Sequence, residues 1–324
     1  MRRALDRTRR VYTGTMQNDL PICATCGVQY AAPREDCPIC LDERQYVGWD
    51  GQRWTSLAEL ARAGHRGRVE EEGPGITGVG ATPPTAIGQR ALLVRSSGGN
   101  VLWDMITYLD DDLIEALNAL GGVRAIAISH PHYYGTMIDW AHAFGAPVYI
   151  HAADRRWVAR PDPAVVFWEG DSRSIGGGLT LVNAGVHFAG GQVLHWADGE
   201  NGAGALLSGD IVQVVPDRRW VSFMYSYPNL IPERPRTIRR ALALLEPYPF
   251  QAVTARGGGA WCVPKERRRS PGLLSAISAS RWTMGTANRL HQDCRQRGRS
   301  YLGIFFFLSF GMRPAAGRIG GIGG

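Results

Sequence analysis

Two pairs of cysteines near the start of the chain constrain its local fold more than any other feature. Cys23 and Cys26 form one Cys-x-x-Cys pair, and Cys37 and Cys40 form a second pair after ten intervening residues. Each pair suits a tight turn whose backbone N–H groups face the sulfurs, so two turns present four thiolates as a tetrahedron. Disulfides are the alternative, and the sequence shows no secretory signal that would favour them. The spacing therefore predicts a structural metal site.

Residues 21–65 are predicted to form one small module around these cysteines. Gly27 and Pro38 suit the two tight turns, an Asp50-Gly51 turn follows, and a short helix is expected to begin near Ser56. The module resembles a zinc ribbon, and it also resembles the rubredoxin-like ribbons in which the same pattern holds iron. A tetrahedron of thiolates serves either ion, so structural zinc is the expected metal and iron the alternative.

A second cluster of potential ligands follows a change of pattern at residue 88, where strands and helices begin to alternate. The apolar run 125–128 predicts a buried strand, and the amphipathic segment 136–144 predicts a helix. His130 and His132 lie on the turn between them, and strand ends of this kind are where α/β folds place their chemistry. Imidazole is the commonest metal ligand, so two rings spaced i, i+2 on an extended turn can point at one ion.

Three more polar residues fall at predicted strand ends or turns. Asp104 ends the strand before the His turn, His187 lies in a glycine-rich turn between two strands, and Asp210 ends a later strand. Each alone is typical of an ordinary loop or helix cap. Their order along the chain makes a functional interpretation stronger than any one of them does.

In this order the residues resemble the metallo-β-lactamase fold, the αββα hydrolase superfamily, over roughly residues 88–260. In that family a strand-end Asp precedes an HxHxDH motif, which is followed by a single His, a Gly-Asp strand end and a late His. The resemblance implies an α+β protein with an αββα sandwich at residues 88–262, preceded by the four-cysteine ribbon. The ligands it implies for the first metal of such a site are His130, His132, His187 and Asp210.

Two departures from the family pattern limit the expectation to one metal. Tyr134-Gly135 stands where the motif has Asp-His, and Ala255-Arg256-Gly257 stands where the late His falls. In the family the missing side chains bind the second metal. The expected site therefore holds one zinc or another divalent ion. Three imidazoles would leave an open position, as in catalytic zinc sites, whereas a shell closed by Asp210 would hold metal without chemistry.

The function implied by the resemblance is metal-dependent hydrolysis of an ester, thioester or amide in a small-molecule substrate. Tyr134 and Asp210 are the predicted catalytic side chains, with the Tyr134 hydroxyl expected to bond the attacking water or an oxyanion. A packed aromatic is the alternative for Tyr134. The alternatives for the protein are a degenerate member that binds a metal or ligand without turnover, and a redox protein with iron in its ribbon.

The net charge of +7 belongs to one segment near the end of the chain. Residues 265–299 carry nine Lys or Arg and two Asp or Glu, so the remainder of the chain is formally neutral. Nucleic acid is therefore not an expected partner of the body of the protein. No apolar run approaches the roughly 18 residues that a membrane span needs, and the expected location is the cytoplasm. The sequence leaves the oligomeric state open.

Three segments outside the two modules complete the predicted organisation. Residues 1–20 are expected to be a disordered basic N-terminus because they are rich in Arg and lack apolar periodicity. Residues 66–87, with charges followed by Gly-Pro-Gly and Thr-Pro-Pro, are expected to be a connecting loop. Residues 263–324 are expected to be a basic helix followed by a disordered tail.

Overall fold

The structure is a computed structural model that describes residues 19–215, 220–255, 260–262 and 303–304. Trp220 and the last two of these segments are described by their backbone alone. The expected disordered N-terminus lies outside the described residues except for its last two positions. The expected basic helix and tail also lie outside them, apart from the short strand at Gly303–Ile304.

The strands in chain order are β1 (Ile22–Cys23), β2 (Trp54–Thr55), β3 (Arg66–Gly73), β4 (Ile76–Thr82), β5 (Ala91–Ser96), β6 (Gly99–Trp103), β7 (Ala125–Ala127), β8 (Val148–His151), β9 (Val165–Trp168), β10 (Ser172–Gly176), β11 (Leu179–Asn183), β12 (Gln192–Trp196), β13 (Ala205–Gly209), β14 (Gln213–Val214), β15 (Trp220–Ser222), β16 (Met224–Ser226), β17 (Ile231–Pro232), β18 (Ala252–Ala255), β19 (Ala260–Cys262) and β20 (Gly303–Ile304). The helices are α1 (Pro38–Leu41), α2 (Leu57–Arg62), α3 (Asp111–Ala119), α4 (Met137–Phe144), α5 (Gly199–Gly202) and α6 (Pro235–Leu245), with 3-10 helices at Pro131–Tyr133 and Ala152–Trp157.

Two large mixed sheets carry the fold. The first runs β3-β4-β5-β6-β7-β8-β9, antiparallel as far as β6 and parallel from β6 to β9. The second runs β10-β11-β12-β13-β18-β19, and its parallel pair is β13 with β18. The expected strands and helices from residue 88 onward are present, with boundaries shifted by a residue or two.

Alternating side chains on these strands divide the interior into three apolar layers. Leu93, Leu102 and Ile126 point toward α3 and α4, whereas their chain neighbours point toward the second sheet. On the second sheet the face turned away from the first one packs against α6. Because each sheet buries both faces, the order of layers is helix, sheet, sheet, helix. The predicted α+β class and αββα sandwich are confirmed.

The four-cysteine ribbon is packed into the first helical layer. The four cysteines, Val28 and Ile39 belong to the same apolar cluster as α3, α4 and one face of the first sheet. Helix α2 begins as expected, with the Ser56 hydroxyl accepting from the Glu59 N–H. The ribbon therefore shares its core with the sandwich instead of standing beside it.

Residues 66–87 are not a connecting loop, because they include strands β3 and β4 of the first sheet. Strand β3 is the edge strand, and its charges suit that position because charged edges discourage further pairing. Gly78 on β4 leaves the space that the Glu72 side chain occupies. Charge and glycine, which indicate a loop in the sequence, belong here to an edge strand and to the strand beside it.

Among the described residues, no helix is both long enough and apolar enough to cross a membrane.

Candidate metal centres and functional site

The four ribbon cysteines converge on one point in the interior. Their sulfurs all lie within 4.8 Å of one another, with Cys23 Sγ 3.7 Å from Cys40 Sγ and Cys26 Sγ 3.7 Å from Cys37 Sγ. The first turn is closed by a hydrogen bond from the Gly27 N–H to the Cys23 carbonyl, and Gly27 has a φ of 78° that favours glycine. The predicted four-sulfur cluster is therefore present.

The surroundings of these sulfurs suit a bound cation. Burial raises the pKa of the Cys26 thiol well above its usual value, so four neighbouring thiolates need a positive ion to offset their charge. Gln52 Nε2 donates to Cys23 Sγ at 3.3 Å, and Tyr30 Oη lies 3.1 Å from Cys37 Sγ. The donor set fits a tetrahedral metal ion.

His130 is placed by the first sheet. Asp104, which has a φ of 60° after β6, accepts the Ser129 N–H at 2.7 Å. The Ser129 hydroxyl in turn lies 2.8 Å from His130 Nδ1. His130 Nε2 then faces Asp210, with Oδ2 at 3.8 Å. Asp104 thus positions Ser129 behind His130 and is not part of the three-histidine group.

His132 and His187 meet beside His130. His187 lies in the loop between β11 and β12, where its Nδ1–H donates to the Tyr225 carbonyl at 2.8 Å. This bond leaves the lone pair on His187 Nε2, which lies 3.3 Å from His132 Nδ1. One ligand nitrogen from each of the three rings lies within 4.8 Å of the other two. The predicted three-histidine group is present, although its members come from two sheets.

The chemistry of the group fits a metal. Burial lowers the pKa of His187 to about 4, which keeps this imidazole neutral and able to bind an ion. All three rings are buried, with exposed fractions of 1–3%. Burial also raises the pKa of Asp104 to about 7 and that of Asp154 to about 6. The site is thus buried, and His187 offers it a neutral nitrogen donor.

Tyr134 and Gly135 are the two positions of the His turn at which the sequence departs from the family motif. Gly135 has a φ of 47°, and a Cβ there would lie 2.9 Å from the Ile106 carbonyl oxygen. The Gln29 N–H of the ribbon donates to the Gly135 carbonyl at 3.0 Å. Tyr134 is buried, and its hydroxyl has no hydrogen-bond partner among the described residues. Its predicted catalytic role remains a prediction.

Sequence reasoning missed the side chains that tie the ribbon to the histidines. Arg44 donates from Nε to the His187 carbonyl at 2.6 Å, and Gln89 donates to the His132 carbonyl at 3.0 Å. Asp154 accepts the Gly190 N–H at 2.9 Å in the loop of His187. Arg44 and Gln89 act on main-chain carbonyls, which leave no spacing signal in a sequence. Only the strand-end position of His151-Ala152-Ala153-Asp154 could have pointed to Asp154.

The other histidines of the described chain have structural partners. His151 Nε2 donates to the Gly170 carbonyl at 3.1 Å, and His142 Nε2 lies 3.0 Å from an Asp162 oxygen. His195 Nε2 donates to the Pro249 carbonyl at 2.8 Å on the α6 side of β12. These contacts support the structural interpretation of all three.

Replacing His195 by Gln is expected to reduce the amount by which the free energy of unfolding falls when the pH is lowered. Burial lowers the pKa of His195 from its usual 6.5, so below that pH the unfolded chain binds a proton that the folded chain rejects. The stabilisation from the neutral ring is present above about pH 6.5 and is lost as the pH falls through the folded-state pKa. Gln keeps an N–H donor for Pro249 and does not titrate. Urea unfolding at pH values on both sides of this range measures the difference, and equal falls in the two proteins would contradict the expectation.

Solved structures that are similar to this chain include metallo-beta-lactamases. No protein-family model matches the chain. DIM-1 metallo-beta-lactamase has a TM-score of 0.46 at 15% identity, covering 61% of this chain and 92% of that chain. A Cronobacter sakazakii metallo-beta-lactamase with a HARLDQ motif has a TM-score of 0.41 at 18% identity, covering 72% and 86%. TTHA1623 in a di-iron-bound form has a TM-score of 0.42 at 22% identity, covering 57% and 95%.

The chain has the metallo-β-lactamase fold, which its two sheets, its layers of helices and its histidine positions define. It is also 48% identical over 236 residues to the uncharacterized protein YmaE of Bacillus subtilis (strain 168). That alignment covers 72% of this chain and 86% of YmaE. At this identity and coverage, the chain belongs to the same protein family as YmaE.

Proposed function

We propose that this protein is a metal-dependent hydrolase that uses one metal ion, with zinc as the expected ion. The observation that supports the proposal is the convergence of three imidazole nitrogens within 4.8 Å at the ends of two sheets. His130, His132 and His187 would hold a divalent ion, which would activate water and polarise a substrate carbonyl. The proposed substrate is an ester, thioester or amide of a small molecule.

The protein's own residues prepare the site for this reaction. The Tyr225 carbonyl fixes the tautomer of His187, and Ser129 contacts the outer nitrogen of His130. The Asp210 carboxylate lies 3.8 Å from His130 Nε2, and its proposed role is to accept the proton that an attacking water gives up. The Phe188 ring packs against all three imidazoles, and polar interactions are stronger in such apolar surroundings than in water.

The proposal is tested by turnover that depends on the metal. The purified protein is assayed against a panel of ester, thioester and amide substrates, first as isolated, then after removal of the histidine-bound metal, and again after zinc is restored. We expect turnover that is lost and then recovered in step with zinc content. Turnover that does not change with zinc content would contradict metal-dependent hydrolysis. So would a fully loaded protein that turns over no substrate of the panel.

A member that binds metal without turnover is the second candidate, and the burial of the site favours it. The three histidines and Asp210 are all 3% exposed or less, and the side chains of the second metal are missing. A loaded site that is inert across the panel, yet binds zinc tightly, would support this candidate over hydrolysis.

Replacing Tyr134 by Phe is expected to lower turnover and to leave stability within about 1 kcal/mol of the unchanged protein, because no hydrogen bond is lost. A buried hydroxyl without a partner requires an explanation, and a role in the reaction supplies one. Turnover numbers and urea unfolding of Y134F measure the two effects. Tyr133→Phe is the matched control, since it changes the adjacent buried tyrosine. Unchanged turnover in Y134F would support the alternative interpretation, in which Tyr134 is a packed aromatic side chain.

We further propose structural zinc for the ribbon, with iron as the alternative. Four buried thiolates support either ion, and the contacts of Gln52 and Tyr30 with sulfur are of the kind that tune an iron centre. Elemental analysis together with a visible absorption spectrum separates the two ions. A coloured protein with reversible reduction would support the redox alternative.

A further inference from the structure

The ribbon and the three-histidine site share a network of direct hydrogen bonds. Gln89 is buried, and its Nε2 donates both to the Cys26 carbonyl at 2.6 Å and to the His132 carbonyl at 3.0 Å. Both partners are acceptors, so only the NH2 side of the amide suits this position. One side chain thus joins a sulfur ligand of the ribbon to a nitrogen ligand of the other site.

Arg44 makes the second connection. It follows Cys40 by four positions, and its Nε donates to the His187 carbonyl at 2.6 Å. Its guanidinium lies 4.7 Å from the ring centre of Phe188 and 4.4 Å from that of Tyr225. Since the Tyr225 carbonyl sets the tautomer of His187, Arg44 holds both the main chain of His187 and the segment that orients its ring.

The ribbon also fixes the chain that follows His132. The Gln29 N–H donates to the Gly135 carbonyl, and Gln29 Nε2 donates to Asp139 of α4 at 2.8 Å. Arg160 pairs with the same carboxylate at 2.8 Å. Asp139 is buried. The chain that follows His132 is therefore held to the ribbon at two points, Gly135 and Asp139.

His130 is held by a chain of contacts at the ends of β6 and β7. The Ser129 hydroxyl lies 2.8 Å from His130 Nδ1, and Asp104 accepts the Ser129 N–H. The ribbon therefore reaches two of the three ligand histidines, and these are the two whose ligand nitrogens lie 3.3 Å apart.

We propose that Gln89 and Arg44 are positioning residues through which the four-cysteine ribbon sets the metal affinity of the histidine site. The inference rests on the part of the proposed function in which the three histidines bind a metal, and it does not require hydrolysis. Outer contacts of this kind change metal affinity by about 10- to 100-fold. Loss of either side chain therefore weakens the histidine site while the ribbon keeps its own metal.

The test measures zinc affinity at the histidine site by competition with a coloured chelator, on full-length protein whose ribbon is loaded. Gln89→Ala and Arg44→Lys are each expected to bind about 10- to 100-fold more weakly. Cobalt placed at the histidine site is expected to show a shifted visible spectrum, which general destabilisation would not produce. Arg44→Lys keeps the charge on a partly exposed side chain, so it provides a folded variant if Gln89→Ala does not fold.

The matched control is Asn100→Ala. Asn100 Nδ2 also bridges two carbonyls, those of Leu120 and Gly122, each at 2.9 Å. This variant is expected to lose stability and to keep zinc affinity and the cobalt spectrum unchanged. An equal loss of affinity in Asn100→Ala, or unchanged affinity in Arg44→Lys, would overturn the positioning role. A wild-type protein that binds no zinc at the histidines would contradict the proposed function as well as this inference, and so is distinguishable from failure of the inference alone.

Discussion

A Cys26→Ser variant is expected to lose the ribbon metal and to unfold far beyond the ribbon. Structural zinc in small thiolate sites contributes an apparent 10–16 kcal/mol or so, whereas whole domains are stable by only about 5–15 kcal/mol. Since the cysteines share one apolar cluster with α3 and α4, losing the ion removes support from the first sheet as well. Metal content and thermal unfolding, followed by far-UV circular dichroism, measure both effects.

The control for this experiment is Cys294→Ser, which changes a cysteine outside the Cys-x-x-Cys pairs. It is expected to keep full metal content and the original unfolding midpoint. Partial unfolding confined to residues 21–65 would show that the ribbon is an independent module. A Cys26→Ser protein with full metal content and an unchanged midpoint would contradict a structural metal in the ribbon.

The parts of this protein that the sequence predicted are those with local signals. The cysteine spacing places four sulfurs within two short turns, and the apolar run before His130 places that residue at a strand end. His187 and Asp210 were predicted from the order of motifs in the resembling family. Their meeting with His130 depends on the packing of two sheets, which no local pattern encodes.

The parts that sequence reasoning missed depend on contacts between distant segments. The sequence of β3 and β4 predicts a loop, because the edge strand is charged and its neighbour is rich in glycine. Gln89 and Arg44 donate to main-chain carbonyls. Every residue has such a carbonyl, so the accepting residue leaves no signal in the sequence. Gly135 stands out in the sequence because it replaces a metal ligand of the family motif. The structure adds the reason why no side chain fits there, which is the close approach of the Ile106 carbonyl.

A His132→Ala variant is expected to lose the metal of the three-histidine group and to keep the metal of the four-cysteine group. The group offers one ligand nitrogen from each of three rings, so removing the His132 ring leaves a two-nitrogen site that binds the ion weakly. Turnover is expected to fall by more than about 100-fold, because the loss of a direct ligand exceeds the 10- to 100-fold cost of losing an outer contact. Elemental analysis per chain and steady-state kinetics measure the two results.

His142→Ala is the matched control for that variant, since it removes a partly exposed imidazole on α4 that faces Asp162. It is expected to keep both metals and full turnover. A wild-type protein that binds a second metal beside the histidines would show that Tyr134 and Gly135 do not mark a lost site. Full metal content in His132→Ala would remove His132 from the ligand set. If His132→Ala keeps its zinc and loses turnover, His132 takes part in the reaction but is not essential for binding the ion.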